Sequence, residues 1–248
     1  MKAFASDFDG TLFFGNETKH FKDRDIKAIR DWQEQGNLFG LCTGRTLGCV
    51  VDDLEGIINV DFYILSTGSK ILNKNQNIIF DKPMKETVAQ NLYDYFDDLK
   101  PSMQVENYLY SFKEKNPFPV EQIILNNFDD LPQGNIYQLT YFTPSVDRAS
   151  RICFDISQKF GNEVDCFQNT TCVDITHKGC SKGSGLKIFK DEMKIDLMCC
   201  MGDSYNDISM LVNADLAFTF SHSPAIVQQN ADYTVGSIAE AMRILSAM

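Results

Sequence analysis

Short apolar runs separated by amphipathic stretches dominate both ends of this chain, and the middle has a different texture. Lys2 to Ser6, Leu38 to Cys42 and Phe62 to Leu65 are brief, nearly continuous apolar runs, the pattern of strands buried on both faces. Between the first two, Arg24 to Gln35 places Ile26, Ile29 and Trp32 at helical spacing, and Gly36 follows as a stop. Thr46 is predicted to cap a helix that runs through Leu54. Ile71-Leu72 and Ile78-Ile79-Phe80, joined by the polar residues Asn73 to Asn77, predict a hairpin. The strand–helix–strand–helix–strand order predicts a parallel sheet with crossover helices.

Past Asp81-Lys82-Pro83 the pattern changes. Helices are predicted over Glu86 to Leu99 and Asp147 to Phe160, and strands of mixed polarity over Val105 to Phe112, Gln138 to Phe142 and Val164 to Phe167. The stretch around Asn116-Pro117-Phe118-Pro119 reads as a loop, and Tyr108, Tyr110, Phe112 and Tyr141 as the small core of an α+β unit. From Ser181 the first texture returns. Ser181 is a candidate cap for a helix over Lys182 to Met193. Leu197 to Met201 and Leu216 to Phe220 read as strands, with a helix over Asp207 to Leu211 between them. The expected fold class is therefore α/β: a core of residues 1–81 and 179–248, interrupted by an inserted α+β domain of residues 82–178. Ligands of such sheets bind beyond the carboxyl ends of the strands. Four strands here end in polar groups, at Asp7 and Asp9, at Thr43, at Ser66 to Gly68 and at Asp203, and all four are predicted to meet at one edge.

Composition changes this picture little. Of the 248 residues 44% are hydrophobic and 23% charged, ordinary for a globular protein. The formal net charge of -11 argues against a nucleic-acid groove, and it requires any anion site to be made locally positive by a metal ion, a Lys or Arg, or backbone N–H groups. Asp7 and Asp9 interrupt the first apolar stretch, which lacks signal-peptide organisation, and no apolar run is long enough for a bilayer. The expectation is a cytoplasmic protein without a membrane partner, whose eight cysteines are reduced, with Cys42, Cys199 and Cys200 as small core residues. Cys166, Cys172, His177 and Cys180 do not follow a recognised zinc-finger spacing.

The candidate chemistry lies at the strand ends. Asp7-Phe8-Asp9-Gly10-Thr11 sets two carboxylates on one side of an extended chain, where a hard cation such as magnesium relieves their repulsion and one can serve as acid and base. Gly202-Asp203-Ser204-Tyr205-Asn206-Asp207 adds two more. Thr43-Gly44-Arg45 offers a hydroxyl, backbone N–H groups and a guanidinium fork for a phosphate. Lys182, near a helix N-terminus, supplies a further positive charge. Taken singly, each of these is as readily a turn, a cap or a solvated surface residue.

Together, and in this order, they resemble the four motifs of the haloacid dehalogenase (HAD) superfamily. Asp7, Asp9 and Thr11 match its first motif, Thr43 the second, Lys182 the third, and Asp203 with Asp207 the fourth. Thr43-Gly44-Arg45, the long insert, Asn206-Asp207 and Asn230-Ala231-Asp232-Tyr233 are similar to Cof-type members of that superfamily. The resemblance implies a Rossmann-like core with a C2B-type cap and a magnesium-dependent phosphatase for small phosphorylated metabolites, such as sugar phosphates. It implies Asp7 as nucleophile, Asp9 as acid and base, and Lys182, Thr11, Thr43, Gly44, Arg45 and Asn206 at the phosphate. It implies magnesium held by Asp7, the Asp9 carbonyl, Asp203 and Asp207, and a monomer or homodimer. The chain departs from the subfamily at Thr67-Gly68-Ser69 and at Ser221-His222-Ser223, near the substrate side. A phosphosugar mutase, or a non-catalytic domain that binds a phosphometabolite, are the alternatives on the same fold.

Overall fold

The computed structural model describes residues 1–15 and 17–247. In chain order the first elements are β1 (Lys2–Ser6), α1 (Asp23–Glu34), β2 (Leu38–Cys42), α2 (Val51–Leu54), β3 (Phe62–Leu65), β4 (Lys70–Asn73) and β5 (Ile78–Asp81). The middle of the chain contains α3 (Glu86–Tyr93), β6 (Ser102–Val105), β7 (Tyr108–Phe112), β8 (Ile123–Leu125), β9 (Ile136–Phe142), α4 (Val146–Phe160), β10 (Val164–Asn169) and β11 (Cys172–His177). The chain finishes with α5 (Lys182–Met193), β12 (Leu197–Met201), α6 (Ile208–Leu211), β13 (Leu216–Phe220), α7 (Ala225–Gln228), β14 (Tyr233–Val235) and α8 (Ile238–Ser246).

Two sheets result. The larger has the order β14-β13-β12-β1-β2-β3-β4-β5, parallel from β14 to β3, with β4 and β5 added antiparallel. Successive residues of each strand point to opposite faces, so β1 sends Phe4 into the layer with α1 and α8 and Ala3 and Ala5 into the layer with α5 and α6. Burial on both faces explains why these strands are apolar throughout. Cys42 and Cys200 lie in the second layer and Cys199 in the first. All eight cysteines are free.

The smaller sheet has the order β10-β11-β9-β6-β7-β8, and α3 and α4 close one of its faces around a separate apolar cluster. Tyr110, Phe112 and Tyr141 belong to that cluster, but Tyr108 is 59% exposed and does not. The other face, carrying Gln104, Gln138, Thr140 and Asp174, turns toward the carboxyl ends of the larger sheet.

Several boundaries differ from those expected. Val105 to Phe112 is two strands, because Glu106 adopts φ 52° and turns the chain into a hairpin without a glycine. The helix begun at Glu86 stops at Tyr93, six residues early; Tyr95 and Phe96 leave the helical path to pack on Phe160 and Tyr141. Thr46 makes no cap. Its hydroxyl donates to the Asn107 carbonyl, and only a short 3₁₀ turn and α2 follow it. Strands β8, β11 and β14 and helices α7 and α8 were not expected from the pattern. No helix among the described residues is long and apolar enough to cross a membrane.

Candidate active site

Strands β12, β1, β2 and β3 are consecutive in the larger sheet, and their carboxyl ends bring Asp203, Asp7, Thr43 and Ser66 to one edge. The Asp7 N–H donates to the Met201 carbonyl at 2.9 Å, which continues the β1–β12 ladder one residue past the strand and holds Asp7 in place. The chain then folds back through Gly10, whose φ of +83° suits glycine. A Cβ on Gly10 would lie 2.9 Å from Asp203 Oδ2, so this position also needs glycine for space.

Lys182 is the first residue of α5, and Ser181 and Ser184 cap that helix reciprocally. Its side chain is 1% exposed and bridges Asp7 Oδ1 and Asp207 Oδ1, each at 2.6 Å. Burial works against the ammonium, yet the charges of Asp207 and Asp7 outweigh it and hold the Lys182 pKa well above the ordinary value. Asp207 Oδ2 accepts the N–H groups of Asp203 and Ser204, both at 3.0 Å, and so shapes the loop that carries Asp203. Asp203 Oδ1 accepts the Thr11 hydroxyl at 2.8 Å. Thr11, expected at the substrate, therefore serves to orient a carboxylate.

Asp7, Asp203 and Asp207 bring one oxygen each within 4.8 Å of one another. One lysine does not balance three carboxylates. Burial first, then Asp207, pushes the Asp7 carboxyl well above its usual range despite Lys182. Burial and Asp207 push Asp203 up to about 6. Crowded oxygen ligands with a deficit of positive charge fit a hard divalent cation. Protons compete for the same oxygens. With its pKa pushed up to about 6, Asp203 should be mostly protonated at pH 5 and mostly ionised at pH 8, so magnesium should bind several-fold more tightly at pH 8 than at pH 5 in isothermal titration calorimetry. Equal affinity across that range would remove Asp203 from the metal site.

The Asp9 carboxylate lies outside this trio. The strand ends at Ser6, so the two-residue alternation that would have set Asp9 beside Asp7 does not extend that far. Arg45 takes the Asp9 carboxylate instead, through Nε at 2.8 Å and Nη2 at 2.5 Å, and its Nη1 donates to the Cys49 carbonyl and to Asp53. Phe8, Phe13 and Phe118 surround the guanidinium with ring centroids at 4.8, 5.3 and 5.1 Å. Arg45 was expected to grip phosphate; its fork is filled, and it positions Asp9. Thr43 Oγ1 accepts the Arg45 N–H at 3.1 Å, which leaves its own O–H free to donate.

These groups line a cleft with about 750 Å³ of empty space, counting its open mouth. Asp7, Asp9, Thr43, Gly44, Arg45 and Asn206 form its floor, and Gln104, Gln138, Thr140 and Asp174 of the smaller sheet form its roof. Roof and floor are hydrogen-bonded to each other. Ser66 Oγ donates to Gln104 Oε1 at 2.6 Å, Thr67 Oγ1 to Gln138 Oε1 at 2.7 Å, and Gln104 Nε2 to the Gly44 carbonyl at 2.7 Å. Ser66, Thr67 and Gly68 have φ of 48°, 52° and 89°, a run of left-handed residues that is costly and persists where its surroundings over-determine it. The departure at Thr67-Gly68-Ser69 thus includes a contact to the roof. At the other departure, Ser223 Oγ pairs with Thr219 Oγ1 at 3.0 Å beneath the Asp203 loop.

The roof residues escaped the sequence reading. Alternation in Tyr137-Gln138-Leu139-Thr140-Tyr141 signals a polar face, but water is the usual partner of such a face, and nothing local says that it covers a cleft. Cys172 lines the cleft while Cys166 packs on the apolar cluster beneath α4, so these two do not converge on a zinc site.

The model of the haloacid dehalogenase-like hydrolases matches residues 4–242. The chain belongs to that family. It is an enzyme of the phosphoric monoester hydrolase class, a HAD phosphatase, and its relatives are named accordingly. The 5-amino-6-(5-phospho-D-ribitylamino)uracil phosphatase of Bacillus subtilis is 22% identical over 235 residues, covering 94% of this chain and 89% of its own. The HMP-PP phosphatase of Citrobacter koseri is 25% identical over 218 residues, 84% of this chain and 79% of its own. Among solved structures, a haloacid dehalogenase-like hydrolase from B. subtilis superposes with a TM-score of 0.87 at 18% identity, over 100% of both chains. A HAD subclass IIB sugar phosphatase does so with 0.83 at 19% identity, again over 100% of both. These likenesses establish the fold: the Rossmann-like HAD core with its cap.

Proposed function

We propose that this HAD phosphatase hydrolyses small phosphate monoesters through a phosphorylated Asp7, with magnesium as its cofactor. The observation that carries the reading is the Lys182 bridge between Asp7 Oδ1 and Asp207 Oδ1. It fixes one oxygen of a buried carboxylate and leaves Asp7 Oδ2 for phosphorus.

Asp7 Oδ2 attacks the phosphorus, forming one P–O bond as the ester P–O bond breaks. Asp9 acts as the acid that passes a proton to the departing oxygen, which leaves as an alcohol. The Asp9 carboxylate then takes a proton from water as the water oxygen attacks phosphorus. The bond to Asp7 breaks, and inorganic phosphate and the free carboxylate remain. Arg45 keeps Asp9 at the cleft wall between steps. The Thr43 hydroxyl and the Asn206 amide are placed to donate to phosphoryl oxygens, and Lys182 offsets their charge. Asp7, the Asp9 carbonyl and Asp203 would hold magnesium, and Asp207, whose oxygens already accept three hydrogen bonds, supports it from behind Lys182. The cation would neutralise charge that builds up on the phosphoryl group.

We take residues 82–178 as the cap and residues 1–81 and 179–248 as the core. The roof hydrogen bonds support a cap that can close over the cleft and limit bulk water there. The relatives named for a ribitylaminouracil phosphate and for HMP-PP support a small phosphorylated metabolite as substrate. A cytoplasmic enzyme fits such a substrate and the free cysteines. Release of phosphate from p-nitrophenyl phosphate, with magnesium and with chelator, is the test. Turnover that depends on magnesium is the expected result; a folded, magnesium-loaded protein that releases none would favour the non-catalytic reading.

A further inference from the structure

The cleft is unevenly charged on its leaving-group side. Two cationic side chains stand near it, and both are spent. Lys182 is held by Asp7 and Asp207, and Arg45 by Asp9, Asp53 and the Cys49 carbonyl, with a side chain 2% exposed. Among the described residues that line the cleft, Arg45 is the one cation, while the roof adds the Asp174 carboxyl, whose pKa burial pushes up against the hydrogen bond from Thr140, the charge of Lys182 and the hydrogen bond from Gln138.

Asp174 is 7% exposed and sits opposite Thr140 across β11 and β9. Its Oδ1 accepts both the Thr140 hydroxyl at 2.7 Å and the Gln138 amide at 3.0 Å. Those two donors are thereby consumed, and Gln138 Oε1 is taken by Thr67. Oδ2 has neither as its partner. It is a rigidly mounted acceptor, set in the wall that the alcohol part of a substrate must meet. Phe118, Phe142 and Leu109 supply the apolar remainder of that wall.

We infer that Asp174 is the specificity-determining residue of this phosphatase, selecting monophosphates whose leaving alcohol is neutral or cationic and rich in hydroxyl or amino donors, and rejecting those with a second phosphate or carboxylate. A donor from the substrate satisfies Oδ2, whereas a second anion meets a carboxylate and no free cation. The inference rests on the phosphatase reading and narrows it. It also disfavours a bisphosphate-primed mutase.

The test compares three substrates with magnesium: sorbitol 6-phosphate, a neutral polyol ester; fructose 1,6-bisphosphate, whose leaving group keeps an anion; and p-nitrophenyl phosphate, which has no donor. The wild type should prefer the polyol ester to the bisphosphate by more than about tenfold in kcat/KM, and Asp174→Asn should reduce that ratio by at least about tenfold. Asparagine keeps the size of the side chain, and a ratio measured in one preparation does not depend on the folded fraction. A wild-type ratio near one, a preference for the bisphosphate, or a ratio that Asp174→Asn leaves unchanged would overturn the inference while p-nitrophenyl phosphate turnover kept the phosphatase reading intact. No release from any of the three would sink both.

Discussion

Asp7→Asn should lower kcat/KM for p-nitrophenyl phosphate by on the order of 10⁴-fold or more, and it should not destabilise the fold. The loss follows from the position of the carboxylate. Asp7 is 6% exposed and lines the cleft, and Lys182 fixes its Oδ1 while Oδ2 stays open to the cleft floor. An amide has the same shape but is not a competent nucleophile. Stability should hold or rise because burial and Asp207 disfavour the Asp7 charge in the folded state. Active-site groups of this kind commonly cost stability and are kept for function. Thermal melting with and without magnesium reads both effects. Without magnesium the variant should melt at or above the wild type, and the rise produced by magnesium should shrink, since one of the proposed ligands is lost. Activity within about tenfold of the wild type would show that phosphorus is attacked by another group.

Lys182→Met should have the largest effect on folding. It leaves Asp7 and Asp207, which are 6% and 0% exposed, together without their shared counter-ion. Removing one partner from a buried ion pair costs about 3–5 kcal/mol, or roughly 10 °C in melting temperature for a chain of this size. The deficit should depend on pH in a stated direction. Asp7 already has a folded-state pKa above the usual range, and without Lys182 it rises further. The folded state then binds protons that the unfolded state releases, so the loss of stability shrinks toward pH 5 and grows toward pH 8. Melting curves across that range, with wild type as reference, test this. A variant as stable as the wild type at pH 8 would mean that the bridge contributes nothing to the fold. Turnover should fall with it, as the oxygen opposite the attacking one is no longer held.

The strand ends were legible because each is a local pattern. A parallel strand buried on both faces must be apolar throughout, so Lys2–Ser6, Leu38–Cys42, Phe62–Leu65 and Leu197–Met201 are visible in one dimension, as are the Asp, Thr and Asp that end three of them. Parallel topology then sends those ends to one edge. Ser181 and the twelve residues of α5 were equally plain, since capping and helical spacing are local.

The direction of each side chain was not. Asp9 faces Arg45 and not Asp7, because the strand stops at Ser6 and the next residues fold back through Gly10. Arg45 is occupied, and Thr11 serves Asp203, through partners 36 and 192 residues away in sequence. The roof is the clearest case. Gln104, Gln138 and Asp174 lie on three strands that are neighbours only in the folded sheet, and each strand alone shows a polar face indistinguishable from one that meets water. The sequence by itself determined the family, the α/β class and the acidic and basic residues available at one sheet edge. Tertiary structure decided which of them pair, which remain free, and what chemistry faces the leaving group, because charge pairing and closure of the cleft depend on contacts between residues far apart in the chain.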